Sequence, residues 1–361
     1  MPVLGDPAEV CLIDLERQAI RTVFATKCWG YQTGANVNWG ASDRRLFAND
    51  VIGGAAVCVR IDLESGETAA FAGPLYTIAP DESCALGFPH ELRDATQLGY
   101  GVPSKDWRNP KRLAPGAAAD EGVWSTNLQT NEKTLILSLA QAAAAVPVPP
   151  PRDIAGGTWY FWHTKFNRQG TRLMQVLRYM APSGPPEERN PMTLTLRPDG
   201  ADVRYGPKTG RVPVYGNGGG HPSWHADGEH ILRNLAPDGG PERFCQFRFD
   251  GTDFRILSET IGAGGHPSIE PNGRYIVTDE NAEHNGGAGK NIRLIDLSAQ
   301  EERSVCRCGT IDKKTIPDPV FRLDGHPCWS RDFRKVSFQA LVGGWRQLLI
   351  ADLSEILGEA G

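Results

Sequence analysis

Three histidines in the second half of the chain share one local context: Gly220-His221-Pro222-Ser223-Trp224, Gly265-His266-Pro267-Ser268-Ile269 and Gly325-His326-Pro327-Cys328-Trp329. Imidazole titrates close to neutrality, so it can take or give a proton at pH 7, and its neutral form is a common ligand for Mn, Fe or Zn. Sites of two imidazoles and one carboxylate leave positions open for substrate. The intervals of 45 and 60 residues match one four-stranded propeller blade with or without a long loop. Equivalent positions on successive blades converge on one axis, so the three rings are expected to point into a single cavity. The competing reading is structural: each His caps an inner strand, and Pro follows because the first strand residue can do without its amide. Three matched triplets tilt the balance toward a functional cluster.

Asp324, two residues before His326, is the expected carboxylate of a metal site, because residues i and i+2 of an extended segment share a side. Asp279 and Glu280 are alternatives, expected at a strand end where turn-forming or solvated roles are usual. His163 is expected to open a further inner strand, and its neighbour Trp162 suits core packing or a platform for a sugar ring equally well. Arg178 and Arg189 are candidates to grip a carboxylate in a bidentate fork, with a surface role the alternative for Arg189. Gln32 lies in Trp29-Gly30-Tyr31-Gln32-Thr33-Gly34, whose amide and aromatic groups suit carbohydrate recognition. His90 and His284 carry no specific signal.

The elements that must position these groups form a repeat. Its first half is a short strand, a turn and a second strand, read six times: Val37 to Phe47, Tyr76 to Leu86, His163 to Val176, His221 to Leu232, His266 to Val277 and His326 to Phe338. Asp227-Gly228 and Asn272-Gly273 are strong hairpin signals because both residues tolerate positive φ. Second halves follow at Val57–Leu63, Ile292–Leu297 and Gln347–Leu353, and the chain opens on the same phrase at Val10–Leu15. An all-β propeller is therefore expected, one domain over residues 1–361, with seven blades favoured over six and one blade shared by the N- and C-terminal segments. Residues 88–122 are a candidate lid, and residues 140–152, rich in Ala and Pro, a connector with a short helix.

The bulk properties exclude several classes. With 41 Gly, 27 Pro, 40% hydrophobic and 22% charged residues, the chain of 361 residues suits many short strands joined by tight turns. A net charge of −5 without any Lys/Arg run argues against nucleic acid or an anionic membrane. The N-terminus lacks the apolar core of a signal peptide and no stretch reaches ~20 apolar residues, so a cytoplasmic protein is expected. The eight cysteines include no CxxC pair, and Cys306 and Cys308 are expected to face opposite sides of a strand.

Through the His221, His266 and His326 units, roughly the last 200 residues, the chain resembles the oligogalacturonate lyase family of seven-bladed TolB-like propellers. The interval from His221 to His266 matches that family's interval between its catalytic His and first metal His, and His326-Pro327 matches the last His-Pro of its metal motif. The resemblance implies His221 as a catalytic residue, His266 and His326 as ligands of a divalent ion such as Mn, and an anionic oligouronide as substrate. His163, Arg178 and Arg189 are further catalytic candidates, with Gln32 and Trp162 as substrate contacts. The family's Gln and second His before the final His-Pro are absent here: Asp324 stands in place of that His, which implies a divergent member. A noncatalytic TolB-like propeller, and a hydrolase or epimerase on a related sugar, are the alternatives.

Overall fold

The structure is a computed structural model that describes residues 5–97, 99–102, 115–182, 189–216, 220–312, 314, 316 and 319–358. Leu98 and residues 103–114 of the expected lid lie outside the described residues. Two compact units emerge, Met1–Tyr205 and Gly206–Gly361.

The first unit opens with a hairpin of β1 (Ala8–Asp14) and β2 (Ala19–Thr26). Three antiparallel four-stranded sheets follow. They are β3 (Asn38–Trp39), β4 (Arg45–Ile52), β5 (Ala55–Asp62) and β6 (Thr68–Ala70); then β7 (Thr77–Ile78), β8 (Cys84–Gly87), β9 (Gly122–Asn127) and β10 (Lys133–Ser138); then β11 (Thr158–Phe166), β12 (Leu173–Met180), β13 (Met192–Leu196) and β14 (Arg204–Gly206). Between β8 and β9 runs a short helix, α1 (Arg93–Thr96), and between β10 and β11 the expected connector helix, α2 (Leu139–Ala144). The Ser138 hydroxyl and the Gln141 side chain form a reciprocal capping box that starts α2.

The second unit continues the pattern with β15 (Ser223–Trp224), β16 (His230–Leu235), β17 (Arg243–Arg248) and β18 (Arg255–Ile256), then β19 (Ser268–Ile269), β20 (Tyr275–His284), β21 (Gly287–Asp296) and β22 (Glu301–Gly309). It ends on β23 (Cys328–Trp329), β24 (Lys335–Val342) and β25 (Trp345–Asp352), followed by α3 (Ser354–Leu357). Gly309 pairs with Leu341, joining β22 to β24, so the last two blades form one continuous sheet of seven strands. Five units of four strands are thus described, together with the two-stranded hairpin β1–β2 and the three strands β23–β25.

Adjacent sheets pack face to face on apolar side chains. Val277, Ile292 and Leu294 meet Trp329, Val336 and Phe338 in one such layer, while Leu232 and Phe244 meet Ile269, Ile276 and Ile295 in another. Cys306 and Cys308 do not face opposite sides: two residues apart on β22, they share a side, and the Cys306 side chain adds to the burial that pushes the Cys308 thiol up to about 11. Among the described residues, no helix is long and apolar enough to cross a membrane.

Candidate active site

In the second unit the three Gly-His-Pro triplets end where β15, β19 and β23 begin, so each His sits two residues before the first residue of its blade's first strand. Those strands are stitched in turn. The Ser223 hydroxyl donates to the Pro267 carbonyl at 3.1 Å, and the Trp329 indole N–H donates to the Ser268 carbonyl at 3.2 Å. The imidazoles are thereby gathered, with ring centroids 4.1 Å apart for His221 and His266 and 3.8 Å for His266 and His326. His221 and His326 adopt left-handed backbone, with φ of 56° and 44°, an uncommon and mildly costly conformation outside glycine that tends to persist at functional sites.

Asp279 organises this cluster. It lies inside β20 and is fully buried, not at a strand end as expected, because β20 runs on to His284 instead of stopping near Val277. Its Oδ1 accepts the backbone amide of His266 at 2.9 Å and His266 Nδ1–H at 2.7 Å. Its Oδ2 accepts the Gly325 amide at 3.2 Å and lies 3.6 Å from Lys290 Nζ. The aspartate also explains two of the three motif glycines. A Cβ at Gly265, which has φ of 61°, would fall 1.7 Å from the Asp279 carbonyl oxygen, and one at Gly325 would fall 3.1 Å from Asp279 Cβ. At Gly220 a Cβ would meet open space.

Charge is balanced within the cluster. Burial opposes ionisation of Asp279, but the His266 hydrogen bond and the charges of His266, Lys290 and His326 outweigh it and hold the carboxyl well below its usual range. Burial, with the neighbouring His266, pushes His326 down to about 4 against the pull of Asp279 and Asp324, so its ring is neutral at pH 7. Asp324 spends its carboxylate on Arg322 Nε at 2.9 Å and on Lys290 at 3.5 Å. Among the described residues no group of three or more imidazole, carboxylate or thiolate side chains is arranged to hold a metal ion. The donors of His266 and His326 nevertheless suit a divalent ion. The carboxylate of Asp279 fixes Nδ1 of His266 as the protonated nitrogen and leaves Nε2 its lone pair, the usual arrangement behind a metal-bound imidazole.

The remaining candidates belong to the first unit. His163 does not open a strand; it is inside β11, and its Nδ1 hydrogen-bonds the Tyr76 hydroxyl. Phe161 pairs with Leu177 and His163 with Val176, so Trp162 is the extra residue of a β-bulge. Trp162 is buried and carries the guanidinium of Arg178 4.0 Å, and that of Arg93 4.6 Å, from its ring centre. Arg178 is the cross-strand partner of Tyr160, and burial pushes its pKa down to about 10, helped by the charge of Arg189 and opposed by Tyr160. Arg189 is half-buried, and its carbonyl accepts the Tyr179 amide at 3.1 Å. Gln32 is half-buried in a loop whose backbone it ties to the Gly99 carbonyl at 3.1 Å.

Four residues escaped sequence reasoning: Asp279, set aside as a strand-end residue, and Lys290, Arg93 and Tyr76. Arg93 sits in an aperiodic polar stretch, and nothing local marks it as buried.

No family model matches the sequence, and no curated protein matches it. Solved structures do. An oligogalacturonate lyase from Vibrio parahaemolyticus shares 14% identity over 96% of this chain and 84% of its own, with a TM-score of 0.65. An oligogalacturonate lyase in complex with manganese shares 18% identity over 97% of this chain and 84% of its own, with a TM-score of 0.66. The tricorn protease aligns over 87% of this chain but only 31% of its own length, at 9% identity and a TM-score of 0.50. Sheets of four antiparallel strands repeated along the chain, aligned end to end with such structures, give this protein the β-propeller fold that the oligogalacturonate lyases share.

Proposed function

We propose that this chain is a carbon–oxygen lyase that cleaves uronate-containing oligosaccharides by β-elimination. The observation that carries the reading is the meeting of three imidazoles from matched blade positions, the middle one backed by a buried aspartate. The similarity of fold to oligogalacturonate lyases, one of them in complex with manganese, supports it.

Elimination requires removal of the proton at C5, which is made only weakly acidic by its ionised carboxylate, and departure of the oxygen at C4. His221, the exposed member of the three, takes the C5 proton. The electron pair left at C5 forms the C4–C5 double bond and expels the C4 oxygen, which is protonated as it leaves. His266 and His326 are the residues to hold a divalent ion, and that ion would supply positive charge opposite the uronate carboxylate. Asp279 keeps His266 in the tautomer that presents Nε2. Asp324, paired with Arg322 and Lys290, shapes the charge of the cluster from behind.

The test is absorbance near ~235 nm, where an unsaturated uronide appears, on a panel of oligouronides before and after metal removal. Metal-dependent absorbance growth is expected, and a folded protein that produces none on any uronide overturns the reading. The pairing of Asp324 with two cations favours one second reading, a noncatalytic propeller that binds its ligand without metal, for which chelation changes nothing.

A further inference from the structure

The first unit holds two buried guanidiniums that, among the described residues, no carboxylate neutralises. Arg93 is 2% exposed and Arg178 9% exposed, and among the described residues neither makes an ion pair. Nε and Nη2 of Arg93 and Nε of Arg178 are buried without a hydrogen-bond partner. The side chain of Arg178 reaches two neutral groups, Gln97 Oε1 at 3.4 Å and the Tyr160 hydroxyl. The Tyr160 hydroxyl, buried and close to Arg178 across the β11–β12 ladder, is turned toward that guanidinium and can add a donor beside it. Arg93 and Tyr160 line a common cavity of about 30 Å³ with Phe88, Thr96 and Trp159. Glu121 lines it too.

Aromatic rings cannot balance this charge. Arg93 lies 4.6 Å from the centre of Trp162, 5.4 Å from that of Tyr100 and 5.5 Å from that of Tyr76. Such contacts offset part of the desolvation of a cation but leave its N–H donors unsatisfied and its charge uncompensated. A guanidinium presents its donors in a fixed fork that matches an oxyanion, and a phenol adds one more. The cavity has room for a small anionic head and none for a sugar ring.

We propose that Arg93, Arg178 and Tyr160 form a seat for one small monovalent anion, filled by the carboxylate of a sugar acid or by a free halide. The seat rests on the first unit alone and needs neither the imidazole cluster nor turnover.

The test uses the full chain in metal-stripped, halide-free buffer, with sodium galacturonate, sodium bromide and neutral galactose as probes. Galacturonate has no glycosidic bond to eliminate, so failure here is separate from failure of the lyase reading. Thermal melting is expected to shift upward with galacturonate and not with galactose. Bromide stabilising equally well identifies a halide seat, and galacturonate alone identifies a carboxylate seat. R93M and R178M are expected to weaken anion binding roughly tenfold to a hundredfold. In anion-free buffer they melt at or above the unmodified protein, since each removes an uncompensated charge. The proposal is overturned if no anion raises the melting temperature, or if both variants respond to anions as the unmodified protein does. Should a variant not fold, bromide located by anomalous scattering in crystals of the unmodified protein decides the matter by its presence or absence at these three residues.

Discussion

Asp279 accepts both the backbone amide and the Nδ1–H of His266, at 2.9 and 2.7 Å, from a position with no solvent exposure. One carboxylate thus sets the place, the ring orientation and the tautomer of the central imidazole. Replacing it by Ala leaves the His266 and Gly325 amides unpaired and Lys290 with Asp324 as its remaining counter-charge, so D279A is expected to lose about 3–5 kcal/mol in urea titration. D279N keeps an acceptor and is expected to retain most stability while divalent-ion affinity falls about 10- to 100-fold by calorimetry. Equal affinity in D279N and the unmodified protein would show that this aspartate does not support a ligand.

The three histidines are expected to separate by function. H221A should keep its metal content and lose about 10²- to 10⁴-fold in kcat on a uronide substrate. H266A and H326A should lose the metal itself, seen in elemental analysis of the purified protein. Metal retained in both variants would move the ion elsewhere.

The motif glycines make a contrast that needs no ligand. G265A meets the Asp279 carbonyl and a φ of 61°, so a loss of roughly 2–4 kcal/mol is expected. G220A meets open space and should stay within about 0.5 kcal/mol of the unmodified protein. Thermal melts of the pair check this, and similar melting temperatures would mean that the backbone around Asp279 yields easily.

His90 gives the fold an acid limit. Burial, reinforced by the charge of Arg93 and only partly offset by its hydrogen bond to Leu75, pushes its pKa down to about 3. The folded state therefore keeps His90 neutral while the unfolded chain protonates it below about 6.5. Its contribution is complete above pH 6.5 and declines as the pH falls toward 3, by up to about 1.4 kcal/mol per unit. H90Q, able to donate to the Leu75 carbonyl, should flatten the stability profile between pH 6 and 4, measured by denaturant titration at fixed salt; an unchanged slope would remove His90 as the cause.

Local signals carried the blade pattern. Asp227-Gly228 and Asn272-Gly273 do turn between paired strands, and the Gly-His-Pro triplets do precede the first strand of their blades. What stayed hidden depends on contacts far apart in sequence. Asp279 is buried because Gly325, 46 residues on, closes over it. Arg93 is buried because strand β11 brings Trp162 and Tyr160 to it, a packing that no spacing near residue 93 encodes. His163 was misplaced for a simpler reason: β11 begins five residues earlier than its turn signals suggest, and a bulge at Trp162 shifts its register.

The single pairing of Gly309 with Leu341 ties the blade that bears His266 to the blade that bears His326. Amide hydrogens of β20–β22 and β24 should then exchange with solvent as one opening event, with His221, on a sheet of its own, answering to another. The two imidazoles assigned to the ion would be lost and regained together, so partial unfolding would empty the binding site in one step and not ligand by ligand.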